Sequence, residues 1–336
     1  MKVPTSSAFF AFYESLDFYY REIVTYEKVI PRMNMYLDKS LAPAHLYTTD
    51  SKILVLEDLT ARGYVSGEKL ALLNLAETKS VMKAFAHYHS ASHKLYVEDP
   101  GILENFLCSC FEGLDGMKMF APWKPVVLEL LRRKNDTLLI PKVETAFLYL
   151  EKEKISTVLD RSKFKFLALN HGDSRKDNFL FKHSENQVQV QFVDYQCCFC
   201  CSPAFDISIF WPGSVSVDVL EAHFDDLIDE YLHELNADLK KLGCASTYER
   251  TDFDNDSKKL RFFSFFSFVR LCADVSSMSR QELEDMGNPS ETNVTYFYEK
   301  CLNDDQFVRS VYGLLKFFDK SKMFDELPMN VEKIPK

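Results

Sequence analysis

Several features that are common in other proteins are scarce or absent here, and each absence excludes a class of protein. The 336 residues include ten glycines, the first at Gly63, so no glycine-rich nucleotide loop precedes that position. No apolar run approaches the roughly 20 residues of a membrane-spanning helix. The N-terminus has no sustained apolar core, so we expect no signal peptide. Acidic residues outnumber basic ones by 50 to 40, and a net charge of -10 argues against non-specific binding to nucleic acid or anionic membranes.

The cysteines lack the spacing of a structural zinc site. Four of the nine crowd into the CCFCC segment at 197–201, and the others are scattered without forming a second pair. A structural zinc site needs a second pair of cysteines or histidines. We therefore expect buried free thiols that behave as small apolar groups, in a cytoplasmic protein. A metal or redox module built on these cysteines is the weaker alternative.

The order of predicted elements indicates two lobes. A helix is predicted from Glu14 to Ile30, closed by Pro31, and a strand over 52–59. A long helix is predicted over 68–95 and mostly helical structure over 101–167, with breaks at Pro122, Pro125 and Pro141. Three strands follow, in FLALNHGD, NFLFKH and VQVQFVDY, and the last 120 residues are predicted to be helical. The lobe boundary is expected near residues 57–67.

One acidic residue stands out on the first predicted helix. Glu22 lies between Phe18 and Tyr26 on the apolar face. A carboxylate on a buried stripe is costly unless a cation meets it. We therefore expect Glu22 to have a basic partner.

The segment LNHGDSRKDNFLF, followed by QFVDYQ, carries the clearest chemical signal. Asp173 lies in a His-Gly-Asp turn, Asn178 follows after four intervening residues, and Asp194 ends the next predicted strand. An aspartate in such a turn can accept a proton from an attacking hydroxyl, and an amide with a second carboxylate suits Mg²⁺. The alternative is a hairpin whose polar residues only cap turns. The combination of the three residues favours a phosphotransferase site.

These motifs resemble the CHK kinase-like proteins, also called ecdysteroid kinase-like, a branch related to aminoglycoside phosphotransferases and choline kinases. The resemblance extends to LDFYYREIVTYEKVIPRM, ILVLEDLTARGY, AFAHYHSAS, SPAFDISIF and LIDEYLHELNADLKKLGC, and covers most of the chain. It implies an α+β, protein-kinase-like two-lobe fold of the aminoglycoside phosphotransferase type. The small lobe would be truncated at its N-terminus and occupy residues 1–60. A mainly helical large lobe would occupy 61–326, and a tail 327–336.

The resemblance also implies roles for individual residues. Asp173 would be the catalytic base and His171 would brace its turn, while Asn178 and Asp194 would bind Mg²⁺. Asp206 would anchor the catalytic loop. The nucleotide, ATP, would be bound by the residues that match the inter-lobe hinge and the phosphate-binding pair: Glu57, Asp58, Leu59, Glu22 and Lys2, the last being the only lysine upstream of Glu22. His89 would belong to a packed helix.

Two departures from the family pattern affect the expected activity. No glycine-bearing hairpin precedes Lys2, so the cover over the nucleotide phosphates is missing from the sequence. The catalytic loop reads DSRKDN, where Arg175 and Lys176 either face the γ-phosphate or an acidic acceptor or form a solvated basic loop. The sequence therefore predicts an ATP- and Mg²⁺-dependent kinase, with a catalytically impaired pseudokinase or small-molecule-binding protein as the alternative.

The acceptor is expected to be a small hydroxylated molecule. By resemblance it is an ecdysteroid or another lipophilic alcohol, and no protein, nucleic-acid or membrane partner is predicted. Five phenylalanines between Phe262 and Phe268 form either part of the core or an apolar wall for the acceptor.

Overall fold

Within the described residues, strands occur among helices as far as Cys201, and the elements that follow are all helices. The computed structural model describes residues 18–49, 53–68, 70–104, 106, 122–185, 187–287, 291–325 and 327. Its mixture of short strands and long helices confirms the predicted α+β class. None of the described helices is long and apolar enough to cross a lipid bilayer. Lys2, the expected partner of Glu22, lies outside the described residues.

The first helical segment continues through its proline. It comprises α1 (Phe18–Val24), a π-helical turn (Thr25–Val29) and α2 (Ile30–Met33). The prediction that Pro31 closes this helix is wrong, because Pro31 lies in the first turn of α2. A proline in a helix has no N–H to donate and crowds the preceding turn. The π-helical turn just before it, where the N–H of Ile30 bonds to the carbonyl of Thr25, is the place at which the backbone accommodates this defect.

The strands of the described residues form three small antiparallel sheets. β1 (His45–Thr48) pairs with β2 (Leu54–Leu56), β4 (Ala168–Asn170) pairs with β7 (Phe199–Cys201), and the third sheet has the order β3 (Val65–Ser66), β5 (Phe179–His183), β6 (Val188–Phe192). The three strands predicted around residues 171–178, here called the candidate loop, are therefore confirmed as β4, β5 and β6. The strand predicted over 52–59 is shorter, since only Leu54–Leu56 is extended among its described residues.

The long helix predicted over 68–95 begins later than expected. α3 spans Leu75–Glu98, because Asn74 caps its N-terminus. The Asn74 side chain accepts from the N–H of Glu77, and the Glu77 carboxylate accepts from the N–H of Asn74. This reciprocal capping box fixes the first turn.

Helices make up most of the remaining chain. They are α4 (Pro100–Glu104), α5 (Trp123–Arg133), α6 (Leu139–Lys152), α7 (Ile155–Val158), α8 (Ala204–Ser214), α9 (Val217–Lys241), α10 (Arg250–Lys259), α11 (Arg261–Asp274), α12 (Arg280–Gly287), α13 (Glu291–Leu302) and α14 (Asp305–Lys320). Pro125 and Pro141 lie near the starts of α5 and α6. Proline is tolerated there because the first N–H groups of a helix have no intrahelical acceptor. The predicted breaks therefore mark helix starts.

An aromatic layer fixes the β5–β6 hairpin against the helices. Phe85 of α3 lies with its ring centroid 5.8 Å from Phe179, 4.9 Å from Phe192 and 5.7 Å from Phe210. All four rings are fully buried. This packing sets the position of the two strands that carry the candidate site at their ends.

Helices α8 and α11 pack against each other near the β5–β6 hairpin. The rings of Phe205 and Phe263 are 4.6 Å apart, and the hydroxyl of Ser267 donates to the carbonyl of Ile209 at 2.6 Å. A Cβ added at Gly213 would overlap the hydroxyl of Ser267. The two helices therefore form one rigid unit next to the candidate loop.

Candidate active site

The carboxylate of Asp173 is held from both sides. Its Oδ1 accepts from Nη1 of Arg270 at 2.8 Å, and its Oδ2 accepts from Nδ2 of Asn178 at 3.0 Å. The side chain retains 15% exposure. Burial alone would raise the pKa of Asp173, but the charges of Arg270 and Arg175 outweigh it and lower the pKa to about 2. Asp173 is therefore ionised at neutral pH, as a proton acceptor must be.

His171 connects the candidate loop to the end of β6. Its Nε2 donates to the carbonyl of Val193 at 2.9 Å, and its Nδ1 lies 3.4 Å from the N–H of Asp173. The residue is completely buried. His171 thus touches both the residue before Asp194 and the backbone of Asp173, which is the geometry of a bracing residue.

Asp206, at the start of α8, anchors the loop from below. Its carboxylate accepts from the N–H of His171 at 2.7 Å, from the N–H of Gly172 at 3.0 Å and from the hydroxyl of Ser174. Nε2 of His89 lies 3.1 Å from the same carboxylate. Burial would raise the pKa of Asp206, but these hydrogen bonds and the two histidines lower it. Asp206 therefore has the anchoring contacts that the resemblance implies.

His89 is a core histidine with partners on both ring nitrogens. In addition to Asp206, it contacts the hydroxyl of Tyr231 through Nδ1 at 2.9 Å. Its ring stacks on Phe85 with a centroid separation of 5.5 Å. The expectation that His89 belongs to a packed helix is confirmed.

Gly172 occupies a position that other residues cannot adopt without strain. Its φ is +83°, and an added Cβ would overlap the carbonyl oxygen of Cys197. Gly243 has a similar φ of +68° but open space around it. We expect Gly172→Ala to lose about 1–3 kcal/mol more stability than Gly243→Ala, because only the first adds a clash to the backbone strain. Urea denaturation of the two variants measures the difference, and equal losses would contradict it.

Asn178 and Asp194 both lie at the open end of the β5–β6 hairpin. Phe179 and Phe192 are directly paired, and the N–H of Val193 donates to the carbonyl of Asn178 at 3.0 Å. Asp194 follows immediately, with φ 67° and ψ 61°, a left-handed conformation that is uncommon outside glycine. Strained backbone of this kind is concentrated at functional sites.

The two side chains fit a hard divalent cation. Nδ2 of Asn178 is turned toward Asp173, so its Oδ1 points away from that carboxylate. An amide oxygen together with the carboxylate of Asp194 is the sparse protein contribution that Mg²⁺ accepts when phosphate and water oxygens complete its shell. No group of three or more His, Cys, Asp or Glu side chains that could hold a metal occurs within the described residues.

Glu22 lies next to this hairpin end. It is 1% exposed on α1, and its neighbour Arg21 donates to the carbonyl of Cys198 at 3.1 Å. The ring of Tyr26, one turn after Glu22, lies 5.3 Å from the ring of Tyr195, which follows Asp194. The pairing of Glu22 with Lys2 falls outside the described residues and stays a prediction.

The predicted hinge already uses some of its backbone groups. The N–H of Glu57 donates to Ala44 at 2.8 Å, and the carbonyl of Leu59 accepts from Arg62 at 3.0 Å. The Asp58 carboxylate caps the following turn by accepting from the N–H of Thr60 at 2.9 Å. The contact of this segment with adenine stays a prediction, and it must use groups other than these two.

The two basic residues of the loop differ in their exposure to solvent. Lys176 is 3% exposed, and its Nζ contacts the carbonyl of Glu68 at 3.3 Å and the carboxylate of Asp177 at 3.4 Å. Arg175 is ion-paired with Asp177 and is 29% exposed. The alternative of a freely solvated loop is therefore wrong for Lys176.

Sequence reasoning missed Arg270, which lies on α11 among the phenylalanines proposed as an acceptor wall. Those five rings (Phe262, Phe263, Phe265, Phe266, Phe268) are 1–7% exposed. They pack against α6, α8 and α14, for example Phe268 against Phe318 at 5.7 Å. The reading of this stripe as an apolar wall is wrong, and its reading as core is confirmed. The contribution of α11 to the site is the guanidinium at its far end.

A sizeable cavity lies away from the candidate site. A crevice of about 680 Å³ is lined by residues of α8, α9, α10, α11 and α14, including Trp211, Phe224 and Asp226. No residue assigned to the candidate site lines it. Its position separates it from the loop, so its size is no argument for catalysis.

The cysteine cluster is part of the core. Cys198, Cys200 and Cys201 are fully buried. Burial raises the pKa of Cys200 to about 11 and that of Cys198 well above its ordinary value. Both thiols are therefore protonated at neutral pH, as buried apolar-like groups are. The expectation of buried, apolar-like thiols is confirmed for these three.

A family model described as the ecdysteroid kinase-like family matches residues 1–244. No curated protein matches the chain. Solved structures similar to this chain include a choline kinase from Cryptosporidium parvum Iowa II, with 13% identity, 89% of this chain and 78% of that chain covered, and a TM-score of 0.45. A choline/ethanolamine kinase family protein from Mesorhizobium loti has 14% identity, coverages of 89% and 83%, and a TM-score of 0.37. An ethanolamine kinase from Plasmodium vivax has 13% identity, coverages of 94% and 75%, and a TM-score of 0.38. The family match spans every predicted site residue but ends before Arg270.

Proposed function

The chain belongs to the ecdysteroid kinase-like family, and from this premise we propose that it is an ATP-dependent small-molecule kinase. It would transfer the γ-phosphoryl group to a hydroxyl of a small lipophilic alcohol, such as an ecdysteroid. The family membership confirms the kinase-like fold and supports small-molecule phosphorylation in general. The ecdysteroid-like acceptor rests on the family description alone, because the described residues show no apolar wall beside Asp173 that would select a substrate.

The observation that carries the proposal is the arrangement around Asp173. One ionised carboxylate is flanked by an amide, and a second carboxylate lies at the end of the neighbouring strand. In phosphoryl transfer the enzyme contributes mainly positioning and electrostatic stabilisation. Asp173 would accept the proton of the acceptor hydroxyl, while His171 and Asp206 hold its turn in place.

Asn178 and Asp194 would hold Mg²⁺, which neutralises phosphate charge when it is bound. The hinge residues Glu57 to Leu59 would contact adenine, and Glu22 with Lys2 would bind the α- and β-phosphates. The buried free thiols support the cytoplasmic location proposed from the sequence.

We expect the 336-residue chain to bind ATP only with Mg²⁺, and Asp194→Ala to abolish that binding. The variant removes the only carboxylate assigned to the cation, so the phosphates lose their bridge to the protein. Calorimetry with ATP and excess Mg²⁺ measures the binding. Asp226→Ala, on the rim of the separate crevice, is the matched control and should bind as the wild type does.

The same titration, together with an assay of ADP formation, distinguishes a kinase from a pseudokinase. The kinase proposal is supported if Asp194→Ala loses ATP binding and the wild type forms ADP in the presence of an ecdysteroid or another alcohol. Binding without turnover on any alcohol would favour a pseudokinase that only binds small molecules. Binding lost in Asp226→Ala instead would place the nucleotide in the crevice and contradict the proposed site.

A further inference from the structure

Arg270 is a charged residue in an otherwise apolar stretch of α11, and its guanidinium reaches the loop that carries Asp173. Nη1 of Arg270 and Oδ1 of Asp173 are 2.8 Å apart, although the two residues are 97 positions apart in sequence. The side chain of Arg270 is 24% exposed and that of Asp173 is 15% exposed. The pair is partly buried, and the hydrogen bond between guanidinium and carboxylate makes it directional as well as electrostatic.

The two oxygens of Asp173 have different partners. Arg270 donates to Oδ1, and Nδ2 of Asn178 donates to Oδ2 at 3.0 Å and to the backbone carbonyl of Asp173 at 2.8 Å. A carboxylate held at both oxygens cannot rotate about its Cβ–Cγ bond without losing a hydrogen bond. Since each oxygen has about two acceptor positions, each keeps one for an incoming hydroxyl.

Arg270 itself is fixed by the packing of its helix. α11 is joined to α8 by the Phe205–Phe263 contact and by the hydrogen bond from Ser267 to Ile209. Asp206, at the start of α8, holds the backbone of the same loop through His171 and Gly172. One rigid helix pair therefore positions both the backbone of the loop and the side chain of its aspartate.

We infer that Arg270 is a positioning residue for Asp173, holding the carboxylate in the orientation that meets the acceptor hydroxyl. The inference rests on the proposed phosphoryl transfer, because it assigns Arg270 a role through the proposed base. Arginine suits this role better than lysine, since its planar fork directs its hydrogen bonds whereas an ammonium is a flexible point charge. Arg270 thus joins the predicted site although it lies outside residues 1–244, which the family model matches.

The test compares turnover of wild type, Arg270→Ala and Arg270→Lys with Mg²⁺-ATP and an ecdysteroid or another accepted alcohol. We expect Arg270→Ala to lower kcat by about 100-fold, the scale of a misplaced catalytic group, with little change in KM for ATP. Arg270→Lys should recover only part of the rate, and added guanidinium ion, below denaturing concentrations, should partly restore Arg270→Ala. Arg309→Ala, which breaks an exposed pair with Asp218, is the matched control and should keep wild-type turnover.

A double-mutant cycle separates positioning from general support of the fold. If Arg270 acts through Asp173, then Asp173→Asn with Arg270→Ala should be no slower than Asp173→Asn alone. Unfolding of the same four proteins in urea measures the coupling of the pair without any turnover. A wild-type kcat in Arg270→Ala would overturn the inference about Arg270 without affecting the proposed function. Reductions in kcat that multiply in the double variant would do the same. A wild type that binds no ATP and transfers no phosphoryl group, with the coupling intact, would overturn the proposed function.

Discussion

Asp173→Asn is expected to lower kcat by about 10²–10⁴-fold, the usual contribution of a general base. The amide keeps the shape of the side chain and its contact with Asn178, but it cannot accept the acceptor's proton. Nucleotide binding should persist, because Asp173 is not among the residues assigned to ATP or to the cation. Steady-state ADP release and calorimetry with Mg²⁺-ATP measure the two effects separately.

The contact with Arg270 adds a second expected result. Asn at position 173 leaves the guanidinium without its anionic partner, so the variant should also lose about 1.5–3 kcal/mol of stability, the range for a hydrogen bond to a charged group. From sequence alone the substitution would be expected to leave folding almost unchanged. Asp160→Asn, at an exposed turn cap before β4, is the control for an aspartate that accepts hydrogen bonds away from the candidate loop. Wild-type turnover in Asp173→Asn would show that Asp173 is not the base.

The loop and its strands were predictable because their signals are local. A short apolar run predicts β5 and alternating apolar residues predict β6, and Asp173, Asn178 and Asp194 follow one another closely along the chain. The register of a hairpin then brings the end of β6 next to the start of β5. No long-range information was needed to place Asn178 beside Asp194.

Arg270 was not predicted, although its sequence context carried the signal. The cost of a charge on a buried stripe drew attention to Glu22, and the same argument applies to Arg270 between Val269 and Leu271. The argument demands a partner but does not say which of many acids provides it. Only the packing of α11 on α8 brings Arg270 to Asp173.

The phenylalanines of α11 illustrate the opposite limit. A helix that is apolar on all sides can be buried in the core or can line a pocket, and composition does not distinguish the two. The rings of Phe263 and Phe265 point to different neighbours, Phe205 and Phe318, so the helix is covered on more than one side. The start of α3 is different, because the Asn74–Glu77 capping box could have been recognised in the sequence.

Asp206→Ala is expected to destabilise the protein by about 3–5 kcal/mol, the cost of removing one member of a buried charged network. The substitution leaves the N–H groups of His171 and Gly172 and the imidazole of His89 without their acceptor in a fully buried place. A loss of this size is a large part of the 5–15 kcal/mol that typically separates folded from unfolded protein. Urea unfolding measures it, and turnover should fall as well because the loop loses its anchor.

Asp218→Ala is the matched control for this loss. Asp218 also pairs with a basic side chain, Arg309, but it is 70% exposed, so its removal should change stability by less than about 0.5 kcal/mol. Asp206→Asn keeps the shape and removes the charge, and its stability should fall between those of the wild type and Asp206→Ala. If Asp206→Ala unfolds at the same urea concentration as Asp218→Ala, the anchoring role is wrong.

The acid limb of the stability curve gives an independent test of the same residue. The hydrogen bonds to Asp206 lower its pKa in the folded protein below the value of about 3.9 for an unfolded aspartate. Its contribution is therefore complete above that value and is lost as the pH falls toward the lower folded pKa, because the unfolded chain takes up the proton first. Asn at position 206 has no carboxyl group to titrate, so the stability of Asp206→Asn should not fall for this reason. Wild type and variant should therefore converge in stability as the pH falls below about 4. A constant stability difference down to the lowest pH at which both proteins remain folded would mean that Asp206 supports the loop by its shape and not by its charge.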